Sequence, residues 1–378
     1  MANLFDYLQW RGDLDFTQAP FNPVDNVILC QLSYLPFDGI VPGPDEDGEI
    51  TVGIAATIFS QKLQKNVSRV KQAILCKDDP ALLKALGSSR RFGNCRLRGY
   101  VNLIDTKREL QFSAVCIITG GNSCFVAYRG TDTSLVGWKE DFNMSFNEAV
   151  PAQLEAVAYL EKMAKKIRGP LRIGGHSKGG NLAIYAATYC SKGIKNRITD
   201  IFSNDAPGFH QSLIDSKGFA EIKGRIHSFV PQASVVGMLL KHGNGYSVVR
   251  SNQFGLMQHE LYSWEVTPND MVRVDSVTQG SRFVGNVLRE WIGSLDDEQR
   301  EKFLEAPYTV LIASQAKSLP DLGESWFKAS GSMLKSLNSI DPATKNLIGK
   351  ALGELLNSTQ RNIYALLKSE KNGEAHSS

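Results

Sequence analysis

No run of apolar residues in this chain approaches the roughly 18 that a membrane span requires. No Cys-x-x-Cys pair occurs among the six cysteines, Cys30, Cys76, Cys95, Cys116, Cys124 and Cys190, so zinc-site spacing is missing, and 378 residues of ordinary composition exclude a small disulfide scaffold. Several of them sit in apolar text, where buried free thiols belong. Neither sign of charge dominates: 42 Lys+Arg stand against 39 Asp+Glu, a formal net charge of +3. The basic clusters Lys62–Lys65, Arg90–Arg91 and Lys165–Arg168 are short and scattered, solvated faces rather than the concentrated stripe that nucleic acid needs. The common cofactor motifs are missing as well: no His-Glu-x-x-His, no Gly-x-x-x-x-Gly-Lys-Ser/Thr and no Gly-x-Gly-x-x-Gly. The first residues, Met-Ala-Asn-Leu-Phe-Asp-Tyr, carry an acid and no basic-then-apolar run, unlike a secretory signal. These absences lead to the expectation of a cytoplasmic protein with no metal, no cofactor, no nucleic-acid partner and no transmembrane segment.

With 378 residues, 42% of them hydrophobic, the chain is long enough to bury a sizeable core in one large or two smaller domains. Apolar residues recur at three- and four-residue intervals in Leu4-Phe5-Tyr7-Leu8 and in Val27-Ile28-Leu29-Leu32, and again from about Ile54 to Leu86, which predicts a mainly helical segment over 1–98. From about residue 99 the period changes. Tyr100 to Ile104, Leu110 to Thr119 and Cys124 to Tyr128 are β-branched and aromatic, with turn text such as Gly120-Gly121-Asn122 between them. Helix and strand text then alternate: a helix from Pro151 to Ile167, a strand at Leu171–Gly174, a helix from Gly180 to Cys190, and strands at Asp200–Ser203, Ile226–Val230 and near Tyr246–Val249. That alternation predicts a mostly parallel central sheet with helices on both faces over 99–280. Residues 281–368 return to helical text, and 369–378 form a polar, flexible tail.

The sharpest chemical signal is Gly175-His176-Ser177-Lys178-Gly179. A Gly-x-Ser-x-Gly is short enough to arise by chance, so its context has to carry it. An apolar strand runs straight into it and a helix leaves it, the strand–turn–helix of a nucleophile elbow. The alternative is a glycine-rich turn with an incidental serine. A second signal is independent: Tyr128-Arg129-Gly130-Thr131-Asp132 at the end of a strand, followed by Trp138 and Asp141. Alone it is also compatible with a strand exit carrying an Arg–Asp pair.

Together these motifs resemble the class 3 lipase group of α/β hydrolases. In that group a strand ends in Arg-Gly-Thr/Ser, a Trp and an Asp follow, and Gly-His-Ser-x-Gly-Gly-x-Leu-Ala comes later. Here that last motif stands as Gly175-His176-Ser177-Lys178-Gly179-Gly180-Asn181-Leu182-Ala183. The resemblance covers roughly residues 100–265, and the remainder looks like a bacterial branch of the group with helical extensions at both ends. It implies an α/β-hydrolase fold, with oxyanion-hole donors at Thr131 (backbone N–H and hydroxyl) and at the N–H of Lys178.

A serine nucleophile needs a base, and there are only six histidines. His376 is in the tail, His176 sits inside the elbow and points elsewhere, His227 is mid-strand, and His210 and His242 lie in loops before the last core strand. His259 follows that strand, the place of the base in the order Ser, acid, His. The acid departs from the pattern. Ser234 stands where the group has its Asp, in Val230-Pro231-Gln232-Ala233-Ser234. Asp205, at the end of the preceding strand, is the substitute, because adjacent strand ends lie only about 5 Å apart. The competing role for Asp205 is capping the turn before Pro207, and Glu260 adjoins His259 and points away.

The expected activity is serine ester hydrolysis, with Ser177, His259 and Asp205 as the triad and acyl lipids or small acyl esters as substrates. A thioesterase or acyltransferase would use the same serine. A non-catalytic scaffold that binds a ligand or partner is the rival, supported by Ser234. The stripe Phe283, Val284, Val287, Leu288 and Trp291 fits plain core or the wall of an acyl pocket or lid, and peripheral contact with lipid is compatible with all of this.

Overall fold

Short turns and long crossovers decide how this chain pairs its strands. In the computed structural model, which describes residues 1–65, 74, 76–132, 134–282 and 285–286, nine strands form one sheet in chain order. They are β1 (Ile50–Thr51), β2 (Arg96–Asp105), β3 (Leu110–Ile118), β4 (Cys124–Tyr128), β5 (Leu171–His176), β6 (Ile198–Asn204), β7 (Ile226–Pro231), β8 (Ser247–Val249) and β9 (Arg273–Val274). From β4 to β8 the pairings are parallel. From β1 to β4, and between β8 and β9, they are antiparallel. The sheet is therefore mixed, not mostly parallel as the sequence led us to expect. The reason lies in the links: residues 106–109 and 119–123 are too short for a crossover of a dozen residues, so β2, β3 and β4 must fold back on one another. Also unexpected is β1, which lies in the segment read as helical.

Among the described residues the longer helices are α1 (Leu4–Arg11), α2 (Pro23–Leu32), α3 (Val52–Lys65), α4 (Asp79–Ser88), α5 (Leu135–Asn143), α6 (Pro151–Lys166) and α7 (Lys178–Tyr189), with shorter turns between strands. Capping boxes start the first two, Asn3 with Asp6 and Asn22 with Asp25, and Pro23 occupies the first turn of α2. Within the helical stretch expected from Ile54 to Leu86, the described residues form α3 and α4, and 66–73 and 75 lie outside them.

Because the strands add in one direction only, right-handed crossovers put every connecting helix on the same face. There, Ala156, Leu160 and Met163 of α6 and Leu182, Ala183 and Ala186 of α7 pack in one core with Val126, Tyr128, Ile173 and Ile201. The alternate strand residues Val115, Ile117, Phe125, Ala127 and Phe202 face the other way and are covered by Val24, Val27 and Ile28 of α2, Phe59 of α3 and Leu86 of α4. The amino-terminal helices thus supply the second layer that the crossovers cannot.

Buried polar contacts fix α2 in that layer. Arg91 grips Asp25 with two hydrogen bonds, Nε to Oδ1 at 2.7 Å and Nη2 to Oδ2 at 2.5 Å, and both side chains are fully buried. At the next residue of α2, Asn26 and Asn204 exchange side-chain hydrogen bonds, and the Asn204 amide also donates to the carbonyl of Gly175. α2 is in this way tied to the carboxyl ends of β5 and β6. The expected helical extension over 281–368, with its stripe Phe283, Val284, Val287, Leu288 and Trp291, and the tail 369–378 lie outside the described residues, apart from 281, 282, 285 and 286. Among the described residues no helix is long and apolar enough to cross a membrane.

Candidate active site

Between the last residue of β5 and the first of α7 stands Ser177, with φ +56° and ψ −133°. A non-glycine residue in that region is strained, and such strain is held only where the surroundings over-determine it. Here two close approaches do so. A Cβ on Gly179 would fall 2.1 Å from the carbonyl oxygen of Tyr128, so only glycine lets α7 start hard against the end of β4. A Cβ on Gly130 would fall 2.7 Å from the carbonyl oxygen of His176 and 3.1 Å from the Cβ of Ser177. The loop leaving β4 therefore rests on the elbow and carries Thr131 to the side of Ser177. Lys178 supplies the first amide of α7, at the positive end of the helix dipole.

His259 reaches the same place from the far edge of the sheet, on a short 3-10 turn at 255–259. Its Nδ1 lies 2.7 Å from Oδ2 of Asp205. Since a carboxylate only accepts, Nδ1 carries the proton and Nε2 is the nitrogen free to take one. Asp205 closes β6 with φ +45° and is 1% exposed. Its Oδ1 accepts from the hydroxyl of Ser234 at 2.5 Å and from the amide of Gly237 at 3.2 Å. Ser234 is thus the neighbour of the acid. The structure brings Asp205 and His259 together, with the carbonyl of Asn204, the residue before Asp205, accepting from the Ser177 amide, and it places Ser234 so that the carboxylate on one strand end and the hydroxyl on the next share a single seat. Glu260 turns away, accepting from the thiol of Cys76.

His176 has a position that its sequence neighbourhood did not disclose. Its Nε2 lies 2.8 Å from the carbonyl oxygen of His259 and its Nδ1 2.9 Å from the hydroxyl of Tyr34. A carbonyl only accepts, so Nε2 donates to it and Nδ1 accepts from Tyr34. Burial drives the His176 pKa well below its usual value, with the neighbouring His259 acting in the same direction. The ring centroids of His176 and His259 are 4.4 Å apart. A neutral imidazole thereby holds the backbone of the His259 turn, and a tyrosine just past α2 holds the imidazole. Neither Tyr34 nor this use of His176 was visible in the sequence, because the partners lie 142 and 83 positions apart. The other described histidines are engaged elsewhere: His210 with the carbonyl of Met144, His227 with Asp200 and His242 with the carbonyl of Gly237.

On the oxyanion side, the Thr131 hydroxyl donates to Oδ2 of Asp141 at 2.5 Å. The hydroxyl is committed there. Desolvation raises the Asp141 carboxyl to about 6 in spite of nearby Lys178. Arg129, almost fully buried, donates to Asn102 and pairs with Asp132 at 3.1 Å, bracing the same loop. The side chain of Trp138 lies outside the described residues. Among the described residues no cluster of His, Cys, Asp and Glu could hold a metal ion.

The sequence profile of the Mbeg1-like family matches residues 86–309, more than half of the chain, a span that includes Thr131, Ser177, Lys178, Asp205 and His259 but not Tyr34. No curated protein matches it. Among solved structures, M37 lipase is 15% identical, with a TM-score of 0.34 over 57% of this chain and 69% of that one. Lip2 lipase from Yarrowia lipolytica is 13% identical, with a TM-score of 0.33 over 50% and 77%. The lipase from Rhizopus microsporus var. chinensis is 13% identical, with a TM-score of 0.32 over 60% and 76%. Likeness at that level says nothing of chemistry.

Proposed function

This chain belongs to the Mbeg1-like family, and from the geometry of its site we propose that it is a serine ester hydrolase acting through an acyl-enzyme. The observation that carries the reading is the 2.7 Å hydrogen bond from Nδ1 of His259 to the buried Asp205 beside a strained serine elbow. Ser177 Oγ attacks the ester carbonyl carbon while Nε2 of His259 takes its proton. The amides of Thr131 and Lys178 receive the oxyanion. Collapse breaks the bond to the leaving alcohol, which takes the proton back from His259, and water then repeats the sequence on the acyl-enzyme. Asp205 keeps Nδ1 protonated and stabilises the imidazolium.

An exposed methionine beside His259 supports an acyl substrate. Met257, two residues before His259, is 61% exposed, a placement suited to an acyl chain or to peripheral contact with lipid. Six unpaired cysteines, five of them buried, support a reducing compartment, and we assign the protein to the cytoplasm on that ground. The scaffold reading draws on Ser234, and the carboxylate of Asp205 seated beside that serine supports the hydrolase reading over it.

The test is labelling with a fluorophosphonate probe, wild type beside Ser177→Ala, with mass mapping of the adduct. An adduct on Ser177 that vanishes in the variant is expected. Folded wild-type protein that takes no label would overturn the reading. Parallel turnover of ester and thioester substrates separates a hydrolase from a thioesterase.

A further inference from the structure

The ammonium of Lys178 has no part in the steps above, yet it is the most deeply buried cation near Ser177. The side chain is 1% exposed and turns inward from the elbow. Its Nζ lies 2.9 Å from the carbonyl oxygen of Gln111, 2.6 Å from Oε1 of Gln111 and 2.9 Å from Oε2 of Glu140. Three protons meet three acceptors. Glu140, wholly buried in α5, also accepts from the amides of Gln111 and Ala152. The next residue of α5, Asp141, has Oδ1 3.9 Å from the ammonium and Oδ2 on the hydroxyl of Thr131.

Two consecutive acids on one helix therefore each hold one residue of the oxyanion hole, Glu140 holding Lys178 and Asp141 holding Thr131. Burying an ion pair is costly, and an apolar side chain of similar volume would fill the same space without desolvating two charges. The arrangement makes sense if the charges act on the site. With the cation removed, α5 would present two uncompensated carboxylates to a place where negative charge develops during acyl transfer.

We propose that the Lys178–Glu140 pair is a positioning device for the oxyanion hole: it fixes the Lys178 amide relative to Thr131, and its cation offsets the negative charge that α5 brings there. The inference rests on the hydrolase reading. It assigns Lys178 two separate jobs, an amide that touches the oxyanion and a side chain that acts through its surroundings.

The experiment compares wild type, Lys178→Met and the double variant Lys178→Met/Glu140→Gln in ester turnover, thermal unfolding and fluorophosphonate labelling. The single variant leaves Glu140 buried without its cation and is expected to lose both stability and rate. The double variant removes both charges, so its melting temperature should return most of the way to wild type. With the net charge beside the site then equal to that of wild type but the hydrogen bonds that fix Lys178 gone, its kcat should stay about 10- to 100-fold low with KM within about three-fold, somewhat less than the loss of a whole oxyanion donor. A double variant that regains stability and wild-type kcat together would overturn the proposal and leave the pair a structural element. Wild type that labels at Ser177 keeps the hydrolase reading standing in that event. Wild type that does not label overturns both.

Discussion

Replacing Asp205 by Asn tests the site most directly, because the surroundings dictate how the amide must sit. Oδ1 faces the amide N–H of Gly237, a donor that cannot turn round. The Asn oxygen must therefore take that side, which points its NH2 at Nδ1 of His259. Nδ1 then has to accept, the proton moves to Nε2, and the nitrogen proposed to serve Ser177 can no longer take one. Wrong tautomers of this kind lower kcat by about 10⁴ in a serine triad, or about 5.4 kcal/mol at 1.36 kcal/mol per decade. Ser234 and Gly237 keep their acceptor, so the melting temperature should move by only a few degrees. The assay is steady-state hydrolysis of a short-chain chromogenic ester, with thermal unfolding on the same preparations. A folded Asp205→Asn protein within ten-fold of wild-type kcat would refute the argument. A carboxylate moved to the neighbouring strand end, Asp205→Ser with Ser234→Asp, should recover part of the lost rate, because the two side chains meet at 2.5 Å.

Three further outcomes are expected. Burial pushes the Asp79 carboxyl up to about 6, against hydrogen bonds from Gln31, Tyr262 and the amide of Cys76. A raised acid favours the fold most below its unfolded pKa near 4, and that contribution is lost as pH rises through 6. The stability of wild type relative to Asp79→Asn should therefore drop by up to about 3 kcal/mol between pH 4 and pH 7, and a difference independent of pH would refute the assignment. Tyr34→Phe removes the donor to His176 and should cost about 1–2 kcal/mol of stability. Faster amide exchange over residues 257–261 should accompany it, whereas unchanged exchange there would sever Tyr34 from the His259 turn. Gly179→Ala drives a methyl group into the carbonyl of Tyr128 and should destabilise by about 3 kcal/mol or more, so an unaltered melting temperature would mean the elbow is not so tightly seated.

What the sequence disclosed was local. The elbow is written in consecutive residues, since a strand, two flanking glycines and a helix start suffice to specify it. Asp205 could be nominated because strand ends next in order lie side by side. The rest depends on pairings that leave no trace in a window of ten residues. Lys178 falls in helix text like any solvated lysine, and only the arrival of Gln111 and Glu140, 67 and 38 positions away, makes it a buried ion. The antiparallel half of the sheet was missed because strand text looks alike in either direction, although the four- and five-residue links already excluded a crossover. Which face the amino-terminal helices cover follows from the strand order, and strand order is a property of the whole sheet.

That strand order also sets a timetable. Each strand from β2 to β8 joins an edge made by the strand before it, so the sheet can grow as the polypeptide leaves the ribosome, with no early edge kept open for a late arrival. At ~5–20 residues per second, the about 80 residues between Ser177 and His259 take on the order of 4–16 s to emerge. For that interval the nascent elbow would exist without the histidine proposed as its base, and on that reading the serine stays unarmed until β8 has been laid down.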